Sequence, residues 1–169
     1  MKAVAELLNA MSESGIIVTY ALFGAIAQMR YTEPVATLDA AVLVVVPGEQ
    51  GLDLLGPIYA FCRNQGYEPH EEGVLVGAWP VQFVPVFSPL TKEAVEFADT
   101  ADFEGSPLRV VQAAHLAVIA LSVGRAKDYA RILALLESQS VVPEDIESLA
   151  GRHGLSEAWQ KFKRRFLDD

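Results

Sequence analysis

The chain has 169 residues, of which 51% are hydrophobic, and a formal net charge of −9. This length and composition suffice for one hydrophobic core and exclude a disordered or fibrous chain. The acidic charge disfavours electrostatic attraction to nucleic acid or to an anionic membrane. Residues 15–29 carry no charge but fall short of the about 20 apolar residues that a membrane-spanning helix needs. We therefore expect a soluble, cytoplasmic protein, with neither membranes nor nucleic acid as partners.

The first half of the chain alternates predicted helices and strands. Helical spacing of apolar residues predicts a helix over 4–11, and β-branched and aromatic residues predict a buried strand over 16–22. Gly24 ends that strand, and helix formers follow over 25–30. The next predicted elements are a turn at 32–35, an apolar strand over 40–46 and a helix over 50–64.

The second half becomes mainly helical. Two strands over 73–77 and 80–87 precede an acidic helix over 92–98 and a short strand over 108–111. Four further helices are predicted over 115–123, 126–138, 144–153 and 156–167. This order implies an α+β (α/β-like) fold with a mixed sheet of four or five strands and flanking helices. We assign residues 1–112 to the core and 113–169 to a C-terminal helical segment packed on it.

The strand over 40–46 begins beside the residues with the most chemical interest. Side chains alternate along a strand, so positions 39 and 41 project to the same side. An aspartate at both positions would suit magnesium and two-metal phosphoryl transfer, but here the pair is Asp39 and Ala41. Upstream, Gly24 could let backbone amides approach a phosphate. Each residue alone also fits an ordinary turn.

This stretch resembles the nucleotidyltransferase superfamily, in particular its minimal and abortive-infection toxin (AbiEii-like) branch. The matching residues are Tyr20, Ala21, Leu22, Gly24, Ala27, Thr37, Asp39, Leu43 and Val44. Downstream, residues 80–85 resemble a strand that carries a third carboxylate in the superfamily, and residues 124–132 resemble its Arg-x-Lys-Asp helix. The resemblance spans about residues 15–137 and implies a magnesium-dependent transfer of a nucleotide onto protein, RNA or a small acceptor.

The resemblance also implies roles for individual residues. Asp39 would be a residual catalytic residue and the metal ligand, and Lys127 and Asp128 would belong to the catalytic site. The nucleotide would contact Gly24, Ala25, Thr37 and Arg125. Asp128 has a simpler alternative, because an aspartate near a helix start suits the helix dipole and can pair with Arg131.

The chain departs from the superfamily pattern where carboxylates are required. Ala25 replaces a small polar residue, Val35 replaces an arginine, and Ala41 replaces the second aspartate. The position of the third carboxylate is taken by Gln82 or Val84. The one remaining aspartate could hold a single magnesium ion weakly, with water and phosphates as the other ligands, but not two.

We therefore expect a nucleotidyltransferase-fold protein with a degenerate site, acting as a nucleotide- or protein-binding regulatory module. The first alternative is an active, toxin-like magnesium-dependent transferase that uses carboxylates from other positions, such as Glu33, Asp53 or Asp128. The second is a structural dimerisation protein or toxin–antitoxin partner that uses its apolar helices. Magnesium and a nucleoside triphosphate are the ligands expected of a working cleft, and a homodimer is compatible with each hypothesis.

Overall fold

A computed structural model of the chain describes residues 1–37, 39–48 and 53–168. Within these residues seven strands form one mixed sheet, in the order β3-β4-β5-β2-β1-β7-β6, and eight helices pack on it. The elements are α1 (Lys2–Glu13), β1 (Thr19–Phe23), α2 (Gly24–Gln28), β2 (Ala40–Val45), α3 (Gly56–Asn64), β3 (Pro69–His70), β4 (Gly73–Val76), β5 (Trp79–Pro85), α4 (Pro89–Glu96), β6 (Asp99–Phe103), β7 (Ser106–Val110), α5 (Ala113–Val123), α6 (Ala126–Glu137), α7 (Pro143–Arg152) and α8 (Ser156–Phe166).

The predicted α+β class is confirmed, but the predicted count of four or five strands is too low. The two strands that were not predicted, β3 and β6, lie at the two edges of the sheet. β3 is only two exposed residues, and β6 carries two aspartates, so neither has the composition of a buried strand. The helix predicted over 50–64 is observed over Gly56–Asn64, and the start of that prediction lies outside the described residues.

The centre of the sheet is built from β1, β2 and β5. β1 pairs antiparallel with β2 over its whole length, and β2 pairs parallel with β5. The burial pattern of β2 explains its position, because apolar side chains on both faces of a strand suit a central place in a covered sheet. These three strands contain Tyr20, Ala41 and Gln82 of the predicted motif, and Gly24 and Asp39 lie directly beside β1 and β2.

The junction between β1 and β7 is held differently. The ladder there is a single parallel pair, Leu22 with Val110. Side chains add to this pair: Arg109 donates from Nε to the carbonyl oxygen of Tyr20 in β1 at 3.1 Å, and Asn9 of the neighbouring α1 donates to the carbonyl oxygen of Pro107 at 2.7 Å. We call this junction the β1–β7 seam.

One hydrophobic core connects the sheet to the helices. Its buried residues run from Val4 in α1 to Phe162 in α8 and form a single cluster of the described residues. In the last helix, Trp159 is fully buried and stacks on Phe162 with ring centroids 5.4 Å apart. The assignment of residues 1–112 and 113–169 to a core and an attached helical segment stays a prediction.

Candidate functional site

The turn between β1 and α2 lies against the start of β2. Gly24 has a φ of 68°, a left-handed conformation that glycine adopts without strain. A Cβ atom at Gly24 would lie 3.7 Å from the Cβ atom of Ala41, so the glycine turn and position 41 are direct neighbours. α2 itself has only five residues, and so short a helix aligns few peptide dipoles. The amino terminus of α2 therefore offers little electrostatic attraction to a phosphate near Gly24.

Asp39 lies immediately before β2 and is exposed. Its backbone is anchored by Thr37, whose hydroxyl donates to the carbonyl oxygen of Asp39 at 2.9 Å. No hydrogen bond or ion pair engages the carboxylate of Asp39 within the described residues. This carboxylate is therefore free to meet a ligand.

Positions 41 and 82, where two more carboxylates were expected, are neighbours across the β2–β5 ladder. Ala41 pairs with Gln82 on one side and with Phe23 on the other. Paired residues of adjacent strands project to the same face, so a methyl group and an amide lie side by side next to Gly24. The Gln82 amide donates from Nε2 to Oε2 of Glu72 at 3.3 Å. Neither side chain supplies a negative charge.

A cavity of 460 Å³, which we call the cationic cavity, lies between this strand end and α6. Among the residues that line it are Ala25, Thr37, Asp39, Lys127 and Arg131. The structure thus brings four of the predicted site residues to one cavity and adds Arg131, which sequence reasoning did not place there. Gly24 borders Ala41 as described above, while Arg125 and Asp128 are not part of the lining.

Asp128 is buried at the start of α6, with 1% of its surface exposed. Its Oδ2 atom accepts hydrogen bonds from the backbone nitrogen of Arg125 at 3.1 Å and from Nε of Arg125 at 2.8 Å. Burial works to raise the pKa of Asp128, but the hydrogen bonds from Arg125 and the charges of Arg125 and Arg131 hold this pKa below its ordinary value. The carboxylate is thus ionised and occupied in capping α6. Its catalytic role stays a prediction, as does nucleotide binding by the exposed Arg125.

Arg131 is fixed in place by two elements. Its Nε donates to Oε1 of Gln28 in α2 at 3.1 Å, and its Nη1 lies 3.5 Å from Oδ1 of Asp128. Its side chain is only 14% exposed, and this burial lowers its pKa while the charge of Asp128 opposes the change. A guanidinium held at two of its nitrogens is preorganised for a third hydrogen bond into the cationic cavity.

A second cavity of 330 Å³ lies on the other side of Asp39; we call it the acidic cavity. Its lining includes Asp39, His70, Glu71, Glu72 and Gln82. These glutamates were not predicted as site residues. Their proximity to Asp39 follows from the parallel pairing of β2 with β5, a long-range contact that local sequence patterns do not encode.

The carboxylates proposed as substitutes for the missing pair are engaged or lie elsewhere. Asp53 accepts a hydrogen bond from the backbone nitrogen of Gly56 at 2.8 Å and so caps α3. Glu33 lines a separate open cavity with Arg30 and Tyr31. Neither lines the two cavities that share Asp39.

The donor set around Asp39 does not fit a magnesium ion. Magnesium prefers near-octahedral oxygen coordination, usually with carboxylates and phosphates as ligands. In the part of the chain that the structure describes, no three His, Cys, Asp or Glu side chains converge on a point where a metal could be held. The neighbours of Asp39 in the expected site are the methyl group of Ala41 and the amide of Gln82. Metal binding by Asp39 stays a prediction.

Solved structures with the same architecture were found at low sequence identity. The solution structure of the antibiotic-resistance factor ANT(2'')-Ia gives a TM-score of 0.53 at 15% identity, covering 97% of this chain and 96% of that chain. Its crystal structure in complex with adenylyl-2''-tobramycin gives 0.53 at 15% identity, with 98% and 97% covered. An antigenic nucleotidyltransferase-like protein from Paracoccidioides brasiliensis gives 0.58 at 13% identity, with 94% and 91% covered. The fold is that of the nucleotidyltransferases.

The nucleotidyltransferase fold extends over nearly the whole chain, helical second half included. No protein-family profile matches the chain, and no curated protein sequence matches it either. The abortive-infection toxin branch therefore stays a prediction. Among the described residues, none of the helices combines the length and the apolar character that crossing a bilayer requires.

Proposed function

We propose that this nucleotidyltransferase-fold protein binds a nucleotide in the cationic cavity, near the turn at Gly24, but does not transfer the nucleotide efficiently. The observation that carries the proposal is the pairing of Ala41 with Gln82 next to Gly24. Two-metal phosphoryl transfer needs several carboxylates at that point, both to hold the metal ions and to accept a proton. Loss of a general base alone costs about 10²–10⁴-fold in rate, and loss of metal charge costs more.

The cationic cavity supports the first part of the proposal, that the protein still binds a nucleotide. Lys127 and Arg131 offer positive charge from α6, and Thr37 and Ala25 lie on the side of the strand end. Charge-assisted hydrogen bonds from lysine and arginine are the strongest ordinary contacts to phosphate oxygens. A protein with these groups and no carboxylate pair is suited to sensing a nucleotide, with a conformational or protein-binding response.

The test is calorimetric titration of the protein with each of the four ribonucleoside triphosphates, beside a transfer assay with α-labelled nucleotide. We expect saturable binding of at least one nucleotide and no labelled product above that of an Asp39→Asn variant. Label incorporated by the wild-type protein and lost in Asp39→Asn would contradict the degenerate site. Absence of binding by all four nucleotides would contradict the binding function.

An active transferase is the second candidate, because Glu71 and Glu72 share the acidic cavity with Asp39. On this hypothesis the Glu72 carboxylate leaves the Gln82 amide and binds a metal ion that arrives with the nucleotide. The same transfer assay on a Glu72→Gln variant tests it, since transfer must then depend on both Glu72 and Asp39. A structural dimerisation or toxin–antitoxin role stays a prediction that no contact described above favours.

A further inference from the structure

The amino-terminal half of α6 presents two cations to the cationic cavity. Lys127 is exposed, and within the described residues no carboxylate pairs with it. Arg131 uses Nε and Nη1 for Gln28 and Asp128, and its Nη2 atom has no partner among the described residues. Lys127 and Arg131 are four positions apart on one helix, so they share a face. The pair can meet one anionic group from the same side.

The opposite wall of this cavity carries too little negative charge to assemble a metal-bridged phosphate. In a metal-dependent site, carboxylates hold the cation and the cation holds the phosphates. Here Asp39 is the one carboxylate among the residues that line the cavity. The other two carboxylate positions of the superfamily are Ala41 and Gln82, which supply no charge and lie outside this lining. The phosphate charge must therefore be neutralised by protein cations.

We propose that the cationic cavity binds the phosphate groups of its nucleotide directly through Lys127 and Arg131, without a bridging metal ion. This inference rests on the proposed nucleotide-binding function and names the way the ligand is recognised. It also changes the expected role of Asp39, which would no longer hold a metal ion for the phosphates. Without a metal ion between them, the Asp39 carboxylate and the ligand phosphates repel each other. The phosphates then lie toward α6, and the uncharged part of the ligand lies toward Asp39.

The experiment is calorimetric titration with ATP, GTP, CTP and UTP, each in excess EDTA and in excess magnesium. The proteins are wild type, Lys127→Met, Asp39→Asn and, as a matched control, Lys92→Met. Lys92 is an exposed lysine of α4 that lines neither cavity. All four proteins keep their buried residues, and thermal unfolding checks that they fold alike.

We expect the wild-type protein to bind nucleotide in EDTA at least as tightly as in magnesium, which competes for the phosphates. Lys127→Met should weaken binding about tenfold or more, since a hydrogen bond to a charged group is lost. Lys92→Met should leave affinity unchanged. Asp39→Asn should tighten binding about two- to fivefold, because a like charge is removed. Added salt should weaken binding by the wild-type protein.

The contrary results separate this inference from the proposed function. Binding that requires magnesium and is lost in Asp39→Asn would overturn metal-free recognition and leave the nucleotide-binding function in place. Binding in EDTA that Lys127→Met and Lys92→Met affect equally would overturn the assignment of the cationic wall. Absence of binding under both conditions would overturn the inference together with the proposed function.

Discussion

At the residue scale, the environment of a charged side chain decides its role more than its place in a motif. Asp128 and Arg125 were both assigned to the site by their resemblance to a superfamily helix. The structure places Asp128 inside the protein and leaves the side chain of Arg125 59% exposed, although the two form one ion pair. Removing the buried partner leaves Arg131 without its counter-charge, whereas removing the exposed partner leaves a carboxylate that still caps α6.

The two partners should therefore contribute unequally to stability. We expect Asp128→Asn to lower the free energy of unfolding by about 1.5–3 kcal/mol, because charge-assisted hydrogen bonds to a buried group are weakened. Arg125→Met should cost clearly less than Asp128→Asn, because the backbone nitrogen of residue 125 and the Arg131 guanidinium still face the carboxylate. Urea denaturation of both variants measures the difference. Equal costs for the two substitutions would contradict the structural role of Asp128.

At the element scale, one carboxylate joins three helices. Glu93 of α4 accepts hydrogen bonds from Nε2 of His115 in α5 at 3.1 Å and from Nε2 of His153, the residue after the end of α7, at 2.8 Å. Arg152 of α7 donates to its other oxygen. Burial works to raise the pKa of Glu93, but the hydrogen bonds from Arg152, His153 and His115 outweigh it and lower this pKa to about 2. Burial also lowers the pKa of His115, against the pull of Glu93.

This cluster predicts a loss of stability in acid. The unfolded chain takes up the Glu93 proton near its ordinary pKa of 4.5 and the folded chain only near 2, so the stability that Glu93 contributes is full above pH 4.5 and falls below it. The lowered pKa of His115 has the same sign, with the fall beginning below pH 6.5. Glu93→Gln should reduce the free energy of unfolding at neutral pH by about 1.5–3 kcal/mol and flatten its decline below pH 4.5. Denaturation at several pH values measures this.

The control for this prediction is Glu96→Gln, which removes an exposed carboxylate from the same helix. It should leave both the neutral stability and the acid slope as in the wild-type protein. An unchanged acid slope in Glu93→Gln would contradict the proposed linkage of the three helices through this residue.

Comparing the predicted helices and strands with the observed ones shows which elements local sequence can encode. The central strands and the four C-terminal helices were predicted because apolar periodicity is a property of consecutive residues. β6 was missed because an edge strand needs no continuous apolar run, and its two aspartates lie at the rim of the sheet. Near the candidate site, the turn at Gly24 was predicted from the sequence, while the site roles of Gly24 and Asp39 come from the superfamily resemblance and stay predictions. The contact of Arg131 with Gln28 was not predicted, since it joins residues 103 positions apart.

At the scale of the whole molecule, a single core spans both halves of the chain. Its cluster contains residues of β1, β2 and β5 together with Ile132 of α6 and Trp159 of α8. Elements that share one core lose their buried surface together, which favours a single cooperative transition. The two tryptophans of the chain lie in different halves, since Trp79 begins β5 and Trp159 lies in α8.

This arrangement permits a direct test of cooperativity. Trp79→Phe leaves Trp159 as the only tryptophan, so fluorescence then reports on the C-terminal helices alone. We expect its urea transition to coincide with the far-ultraviolet circular dichroism transition of the whole chain. A fluorescence transition at clearly lower urea would show that residues 113–169 unfold as a separate unit.

The β1–β7 seam gives the sheet a preferred line of mechanical failure. A ladder of many backbone hydrogen bonds would share an applied force, whereas the single pair of Leu22 with Val110 and the Arg109 contact with Tyr20 would divide it among few bonds. Tension drawn through β7 would therefore peel away the hairpin of β6 and β7 before it disturbed β1, β2 and β5. The strands next to the cationic cavity would therefore keep their backbone ladders when the β6–β7 hairpin separates.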